Sequence, residues 1–175
     1  MNITYQTLKP SHAKQYRQIR LESLKNFPDN FGSSYEEESM RDKLAFETYI
    51  EQQTKDKFIV GAFDGEALIG ICGFAGDNNK KSRHRGTIIQ MYVKPAYSCK
   101  GIGLQLLQTT IDEAFKIPGI EQLVLGVITS NDSANKIYEK AGFKEFGLHK
   151  NYFKEHGRYF SQRFMILYRE ETKNL

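Results

Sequence analysis

The most constraining feature of this sequence is a strand followed by a glycine-spaced turn, a helix and a second apolar strand. The segment GTIIQMYV at 86–93 is rich in β-branched and aromatic residues. Gly101 and Gly103 then open an amphipathic helical segment that extends to about residue 116. The almost continuous apolar run EQLVLGVIT follows at 121–129, which is typical of a buried strand. Such a strand–helix–strand unit is compatible with a parallel crossover.

Hydrophobic periodicity predicts the other elements before and after this unit. They are a strand at 2–8, a helix N-capped by Ser11 and ending near Asn26, a bent helical stretch from Tyr35 to Gln53, strands at 58–64 and 67–77, a helix at 130–142, and strands at 143–152 and 157–168. The order β-α-α-β-β-β-α-β-α-β-β indicates an α+β fold. Without repeats or linkers, residues 1–175 are expected to form a single domain.

Composition excludes several classes of protein. The chain is 39% apolar and 26% charged, and it has no apolar run long enough for a membrane helix or a signal peptide. We therefore expect a cytoplasmic protein with no membrane partner. The only cysteines, Cys72 and Cys99, argue against a disulfide framework, and no Cys/His cluster has zinc spacing, so no metal site is expected.

The charge distribution is more informative than its sum. A formal net charge of +4 is too small to indicate nucleic-acid binding. However, the stretch from Lys80 to Lys100 contains six lysine or arginine residues and no acid. It is either a solvated basic loop, the commoner case, or the neighbour of an anionic partner.

The turn before the helix has the chemistry of an anion site. Gly101 and Gly103 let backbone N–H groups converge, and the helix N-terminus adds unpaired donors and partial positive charge beside Lys100. A pyrophosphate would suit such a site, although a tight turn explains the glycines equally well. Gln105 and Leu106 stand where a Rossmann fingerprint needs its third glycine, and the chain contains no P-loop motif.

A second motif decides the interpretation. Asn131, Ala134, Tyr138, Gly142 and Phe143 form N-x-x-A-x-x-x-Y-x-x-x-G-F about thirty residues after the turn. Together the two motifs resemble the GNAT superfamily of acyl-CoA N-acyltransferases, over roughly residues 58–167. The resemblance implies a central, mixed, mostly antiparallel twisted sheet of six to seven strands. About four helices would flank this sheet, which would be splayed at the acetyl-CoA site.

The resemblance also implies the residues that bind acetyl-CoA, the acyl donor. Backbone groups of Met91, Tyr92 and Val93 would hold pantetheine, and the Tyr92 or Val93 N–H would stabilise the oxyanion. The implied phosphate-loop residues are Ser98, Cys99, Lys100, Gly101, Ile102, Gly103 and Leu104. Ser98 departs from the family pattern, which has Gln or Arg at this position.

The following helix carries two further implied site residues. Asn131 would contact the cofactor arm, and it also suits a helix N-cap. Tyr138 would be the catalytic acid that protonates the departing CoA thiolate, and core packing is the alternative explanation for it. The general base is not identified by sequence: Gln90 does not titrate, and His84 is more typical of a surface residue.

The implied activity is acetyl transfer to a primary amine, either a small molecule or a peptide amino terminus, within a ternary complex. The acceptor regions, residues 20–39 and 149–164, are rich in aromatic and acidic residues, so an aromatic and acidic cleft is expected. Glu36, Glu37 and Glu38 are candidates to attract a cationic amine. A non-catalytic acyl-CoA-binding or sensing module is the alternative, a nucleotide-phosphate-binding protein is disfavoured, and a homodimer through the terminal strands is possible.

Overall fold

The structure is a computed structural model that describes residues 2–169. Seven strands form one mixed sheet in the order β1-β2-β3-β4-β5-β7-β6. The strands are β1 Ile3–Thr7, β2 Lys57–Asp64, β3 Ala67–Gly76, β4 Arg85–Val93, β5 Gln122–Ile128, β6 Lys144–Glu155 and β7 Arg158–Tyr168. The helices are α1 Ala13–Asn26, α2 Tyr35–Ser39, α3 Ala45–Gln52, α4 Ile102–Lys116 and α5 Asp132–Lys140. The expected α+β architecture with a mixed, mostly antiparallel sheet is confirmed.

Two apolar clusters cover the two faces of the sheet. Side chains alternate between faces along a strand, so Val60 and Cys72 pack on the α4 side while Ile59 and Ile71 pack under α1 and α3. Strands β2 and β3 are therefore buried on both faces. This double burial explains why their sequences read as continuous apolar runs.

The sheet divides between β4 and β5, its one parallel pair among the described strands. Only residues 85–87 of β4 pair with residues 122–124 of β5. Beyond Thr87, β4 continues along β3 and β5 continues along β7, without pairing to each other. We call the gap between residues 88–93 and 125–128 the wedge. The predicted crossover and the splay are both present.

A β-bulge marks the β4 side of the wedge. Gln90 has a φ of 55°, and the register between β3 and β4 shifts between Ile71 and Gly73. A left-handed backbone is uncommon for a residue with a side chain. Such bulges redirect side chains and often stand beside functional sites.

The N-terminal region differs from the sequence prediction in one respect. The prediction that Ser11 caps the first helix is wrong, because Pro10–His12 form a 3-10 turn and α1 begins at Ala13. Pro10 begins the turn with its fixed backbone angle, so Ser11 lies inside the turn and does not occupy the N-cap position of α1. The bent stretch from Tyr35 to Gln53 is two separate helices, α2 and α3.

Among residues 2–169, none of the helices combines the length and the apolar character that crossing a membrane requires.

Candidate active site

The backbone of β4 presents unpaired polar groups to the wedge. The Lys94 N–H donates to the Ile69 carbonyl of β3 at 2.9 Å. Because backbone groups alternate in direction along a strand, the Tyr92 N–H also faces β3, whereas Val93 and Met91 turn theirs towards the wedge. The sequence prediction named three β4 residues for this role. Of these, Met91 and Val93 present backbone hydrogen-bonding groups to the wedge, and Tyr92 does not.

The side chains of the same residues point in opposite directions. Met91 and Val93 pack in the cluster on the α4 side, which also contains Tyr138. Tyr92 is buried on the α1 side, and its hydroxyl donates to Glu22 Oε1 at 2.9 Å. Burial, with the neighbouring Glu22 carboxylate, raises the pKa of Tyr92 to about 12. Tyr92 is thus a protonated anchor between β4 and α1.

The phosphate loop is an exposed turn built around left-handed backbone. Cys99 has a φ of 60° and Gly101 a φ of 76°, and α4 begins immediately afterwards at Ile102. No side chain caps this helix end. The first N–H groups of a helix have no intrahelical acceptor, so those of Ile102 to Leu104 are available to an anion.

Lys100 does not extend freely from this loop. Its Nζ donates to the Ala96 carbonyl at 3.2 Å and lies 5.4 Å from the centre of the Tyr97 ring. Elsewhere in the basic stretch, acidic partners neutralise Arg85 and Lys94, through Asp77 and Glu22 respectively, each at 2.9 Å. The stretch is therefore not one continuous positive surface, and only its Lys100 end adjoins the loop.

The two loop glycines have different surroundings. A Cβ at Gly103 would lie 3.1 Å from Ile137 Cδ1 and 3.4 Å from Met91 Cε, whereas a Cβ at Gly101 would meet nothing within 4 Å. Gly103 thus lets the side chains of Ile137 and Met91 pack closely in the gap between α4, α5 and β4. Gly101 instead supplies the left-handed turn.

Helix α5 places its two predicted residues at different depths. The Asn131 side chain caps the helix by accepting from the Ala134 N–H at 3.2 Å, as predicted. Tyr138 is 7% exposed and packs edge-on to Phe143. No hydrogen bond joins its hydroxyl to a residue within 2–169. Burial raises the pKa of Tyr138, so its hydroxyl keeps its proton at neutral pH.

Asn135, which sequence reasoning missed, ties α5 to the sheet. Its Nδ2 donates to the Asn131 carbonyl at 2.8 Å, and its Oδ1 accepts from Arg163 Nη1 at 2.6 Å. Arg163 also pairs with Glu139 and Glu145. This network fixes the position of α5, the helix that carries Tyr138, relative to the sheet. The available signal was an asparagine three residues before Tyr138, on the same face of the predicted helix.

A cavity of about 360 Å³ lies on the α1 side of the wedge. Its floor includes the bulge residue Gln90, and its walls come from the α1–α2 connection and from β5, β6 and β7. The residues that line it are Arg20, Asn30, Phe31, Gly32, Ser33, Thr87, Ile88, Ile89, Gln90, Gly126, Ile128, Tyr152, Phe153 and Gln162. The two regions predicted to shape the acceptor cleft therefore do meet here.

The cavity is aromatic, as expected, but the expectation of an acidic cleft is wrong. Its described lining contains no Asp or Glu, and its charged residue is Arg20. Glu36 and Glu37 are exposed on α2, and Glu38 turns towards Arg41, 3.5 Å from its Nε. The short helix α2, capped by Ser34, holds these carboxylates outside the cavity wall.

The bulge is anchored by Tyr16, a second residue that sequence reasoning missed. The buried Tyr16 hydroxyl donates to Gln90 Oε1 at 2.7 Å, which joins α1 to the floor of the cavity. His84, in contrast, precedes β4 at its opposite end. It is about 20 Å from Gln90 at roughly 3.3 Å per strand residue, and it is not among the residues that line the cavity.

Comparison with known proteins is consistent with this geometry. Residues 17–143 match the model of the Acetyltransferase (GNAT) family. Over 98 residues, 56% of this chain and 59% of the relative, the sequence is 33% identical to the N-alpha-acetyltransferase RimI of Mycobacterium tuberculosis. Over 67 residues, 38% of this chain and 45% of the relative, it is 39% identical to the [Ribosomal protein bS18]-alanine N-acetyltransferase of Escherichia coli K12. The chain thus spans about half the length of these relatives.

Solved structures share the fold at low sequence identity. An acetyltransferase of the GNAT family from Streptococcus pneumoniae superimposes with a TM-score of 0.81 at 20% identity, covering 95% of this chain and 99% of the other. A GNAT superfamily phosphinothricin acetyltransferase from Sinorhizobium meliloti, in complex with acetyl-CoA, gives 0.76 at 23% identity, covering 96% and 89%. The family model spans most of the chain and the wedge lies within it, so this protein belongs to the GNAT family of acetyltransferases.

Proposed function

We propose that this chain is an acetyl-CoA-dependent N-acetyltransferase. It moves the acetyl group directly to a primary amine, a small molecule or a peptide amino terminus, while both substrates are bound. One observation carries the proposal: the wedge opens beside the uncapped start of α4, in a chain whose residues 17–143 match the acetyltransferase family. Because elements from α1 to β7 surround the wedge, residues 1–175 act as a single domain.

The residues at the wedge fit acetyl-CoA. Its pantetheine arm contains amides that match the outward backbone groups of Met91 and Val93. Its pyrophosphate suits the loop from Ser98 to Leu104, where the α4 N-terminus supplies free N–H groups. Asn131 stands at the start of α5, where its side chain contacts the arm. The thioester supplies the activated acetyl group.

Two groups of the chain act on the reacting atoms. The Val93 N–H, rather than the Tyr92 N–H that faces β3, donates to the oxygen on which negative charge develops. Tyr138 lies in the same cluster as Val93, and its hydroxyl gives a proton to the leaving thiolate and regains one from solvent after the transfer. Both act from the α4 side of the wedge.

The acceptor loses its ammonium proton to water. The described lining of the cavity contains no Asp, Glu or His that could accept the proton. We therefore expect kcat/KM to rise with pH, with a midpoint that follows the pKa of the acceptor amine. Two acceptors whose amine pKa values differ test this expectation. A midpoint that is the same for both would reveal a base on the protein.

Thermal-shift measurements with acetyl-CoA, CoA, ATP and NADH test the proposal first. A ligand at about a hundred times its Kd adds roughly 2.7 kcal/mol, which raises the Tm of a domain this size by about 5–10 °C. We expect this effect from acetyl-CoA and CoA only. Equal protection by ATP would instead support a nucleotide-binding protein.

Turnover is then measured with a panel of amines, by mass spectrometry of the acetylated product. Detection of released CoA with a thiol reagent would be confounded, because Cys99 is exposed and only Cys72 is buried. Acetylation of an amine that depends on acetyl-CoA supports the enzyme. Binding of acetyl-CoA without turnover of any amine would favour the non-catalytic sensing module.

A further inference from the structure

The wall of the cavity contains a buried arginine. Arg20 lies on α1, is 5% exposed and lines the cavity together with Phe31. Its guanidinium carbon is 4.8 Å from the centre of the Phe31 ring. A full positive charge is therefore enclosed at the site where the acceptor is expected to bind.

Arg20 lacks a hydrogen-bond acceptor among residues 2–169. Its Nη1 atom is closed off from solvent and has no partner. Arg17, one turn earlier on α1, donates instead to Glu47 at 2.9 Å and to the Arg41 carbonyl at 2.6 Å. Arg163 is likewise paired with two carboxylates. The chain thus supplies partners to comparable arginines but not to Arg20.

Burial of an unpaired charge is unfavourable, so the missing partner needs an explanation. Burial lowers the pKa of Arg20, while Tyr16 and Glu38 oppose this shift. The Glu38 carboxylate forms no ion pair with Arg20 and lies beside Arg41 instead. Arg20 is therefore an enclosed donor without an acceptor of its own.

The rest of the cavity is neutral. Ser33, Gln90 and Gln162 supply polar groups to its wall, and no carboxylate of the described lining competes for Arg20. The planar guanidinium fork of arginine matches the two oxygens of a carboxylate. We propose that the acceptor molecule carries a carboxylate as well as its amine, and that Arg20 binds this carboxylate. The inference rests on the proposed acetyl transfer.

The position of Arg20 places it in the same cavity as the bulge. Tyr16 contacts Gln90 at the bulge, and Arg20 lies four residues further along the same helix. Residues four apart on a helix lie on the same face. Arg20 and Gln90 both line the cavity, so a carboxylate bound by Arg20 shares the cavity with an amine at the wedge.

Matched acceptors test the proposal. We expect the parent protein, at saturating acetyl-CoA, to use amino acids with a kcat/KM at least about tenfold above that of their carboxamides, because a charged hydrogen bond is lost in the amide. The amine of an amide is less basic, so more of it is neutral, which biases the comparison against this result. Arg20→Met should abolish the preference, and Arg20→Lys should restore part of it.

Arg158→Met is the matched control. Arg158 is an exposed residue of the β6–β7 hairpin that pairs with Asp29, so its loss removes one positive charge outside the cavity. The acid-to-amide ratio should not change in this variant, and the KM for acetyl-CoA should stay the same in all of them. Peptides with a neutral or an acidic second residue are tested as a further set of acceptors. If only the acidic peptides are preferred, the carboxylate that Arg20 binds belongs to an amino-acid side chain.

The outcomes separate this proposal from the acetyltransferase itself. Equal use of acids and amides by the parent protein would overturn the role of Arg20 and leave the enzyme intact. If no amine is acetylated, titration calorimetry with N-acetyl amino acids and their amides still tests whether Arg20 binds a carboxylate. Tighter binding of the acids than of the amides, lost in Arg20→Met, would support the carboxylate site. Equal or absent binding of both would overturn it.

Discussion

The two sides of the wedge are built from different parts of the chain. On the α4 side, the groups available to a ligand are backbone N–H and C=O groups of β4 and the phosphate loop, with glycines that leave room for it. On the α1 side, the cavity is formed by side chains from five elements, including a buried arginine and the bulge residue Gln90. A surface made of backbone groups keeps the same ligand when side chains change. A surface made of side chains can come to bind a different ligand when one of its residues is substituted.

This contrast suggests a division of labour within one sheet. Backbone donors hold a ligand whatever the neighbouring side chains are, so we expect the α4 side to tolerate Ser98 in place of a longer residue. Side-chain donors depend on each residue that supports them. Substitutions on the α4 side should therefore affect acetyl-CoA and the chemistry, whereas those on the α1 side should affect the acceptor.

The largest effect is expected from Tyr138→Phe. Loss of the hydroxyl removes the acid that we propose protonates the thiolate, so kcat should fall about 100-fold, while the Kd for acetyl-CoA stays nearly unchanged. The ring and its packing against Phe143 are retained, and no protein hydrogen bond within 2–169 is lost, so Tm should not change. Unaltered kcat would mean that Tyr138 serves only the core.

Gly103→Val should be the next most damaging change. Its side chain would enter the gap occupied by Ile137 and Met91, and overpacking of this kind costs about 1–3 kcal/mol. Because Met91 belongs to the proposed pantetheine site, its displacement should raise the Kd for acetyl-CoA about tenfold. Calorimetric titration with acetyl-CoA measures this.

Gly101→Ala is the matched control for that variant. A Cβ at Gly101 meets nothing within 4 Å, but its φ is 76°, so the cost of about 1–2 kcal/mol is backbone strain. Stability should fall, with much less change in the Kd than in Gly103→Val. Equal weakening by both variants would show that loop geometry, and not the gap, controls binding.

A smaller effect is expected on the α1 side from Tyr16→Phe. The variant removes the hydrogen bond to Gln90, which should lower the free energy of unfolding by about 1 kcal/mol. With the bulge less firmly held, the KM for the acceptor should rise severalfold while the Kd for acetyl-CoA remains constant. A change confined to acetyl-CoA would contradict the division between the two sides.

The smallest predicted change is a gain in stability from Arg20→Met. Removal of an enclosed, unpaired guanidinium should raise the free energy of unfolding by about 1 kcal/mol. Arg17→Met on the same helix should lower it by about 2 kcal/mol, since Glu47 would lose its charged partner. Urea denaturation compares the two variants. Destabilisation by both would make Arg20 a structural residue.

The α4 side could be predicted from sequence because its determinants are local. Gly101 and Gly103 stand at the start of one helix, and Asn131 and Tyr138 belong to the N-cap and the body of another. Their spacing in the sequence was enough to place them on these elements, and the resemblance to the GNAT superfamily supplied their expected roles. The same local reasoning gave the α+β order and the crossover. It could not distinguish the N–H of Tyr92 from that of Val93, because their directions depend on the register with β3.

The α1 side could not be predicted because its residues are distant in the chain. Tyr16 and Gln90, for example, are 74 residues apart. Nothing in the sequence singles out Arg20, since burial is a property of the assembled fold. Counting acidic residues in the acceptor regions suggested an acidic cleft, but α2 holds Glu36 and Glu37 on its exposed face.

The wedge also bears on how the sheet avoids aggregation. Unpaired strand edges invite pairing with other chains, and proteins usually protect those at the rim of a sheet. Here the inner edges of β4 and β5 are also unpaired, but they lie in the middle of the sheet, with β1 and β6 at its rim. A foreign strand would have to enter between two strands of the same sheet to pair with them. The division that we propose gives a slender substrate its hydrogen bonds therefore offers less edge to other proteins than an unpaired rim strand would.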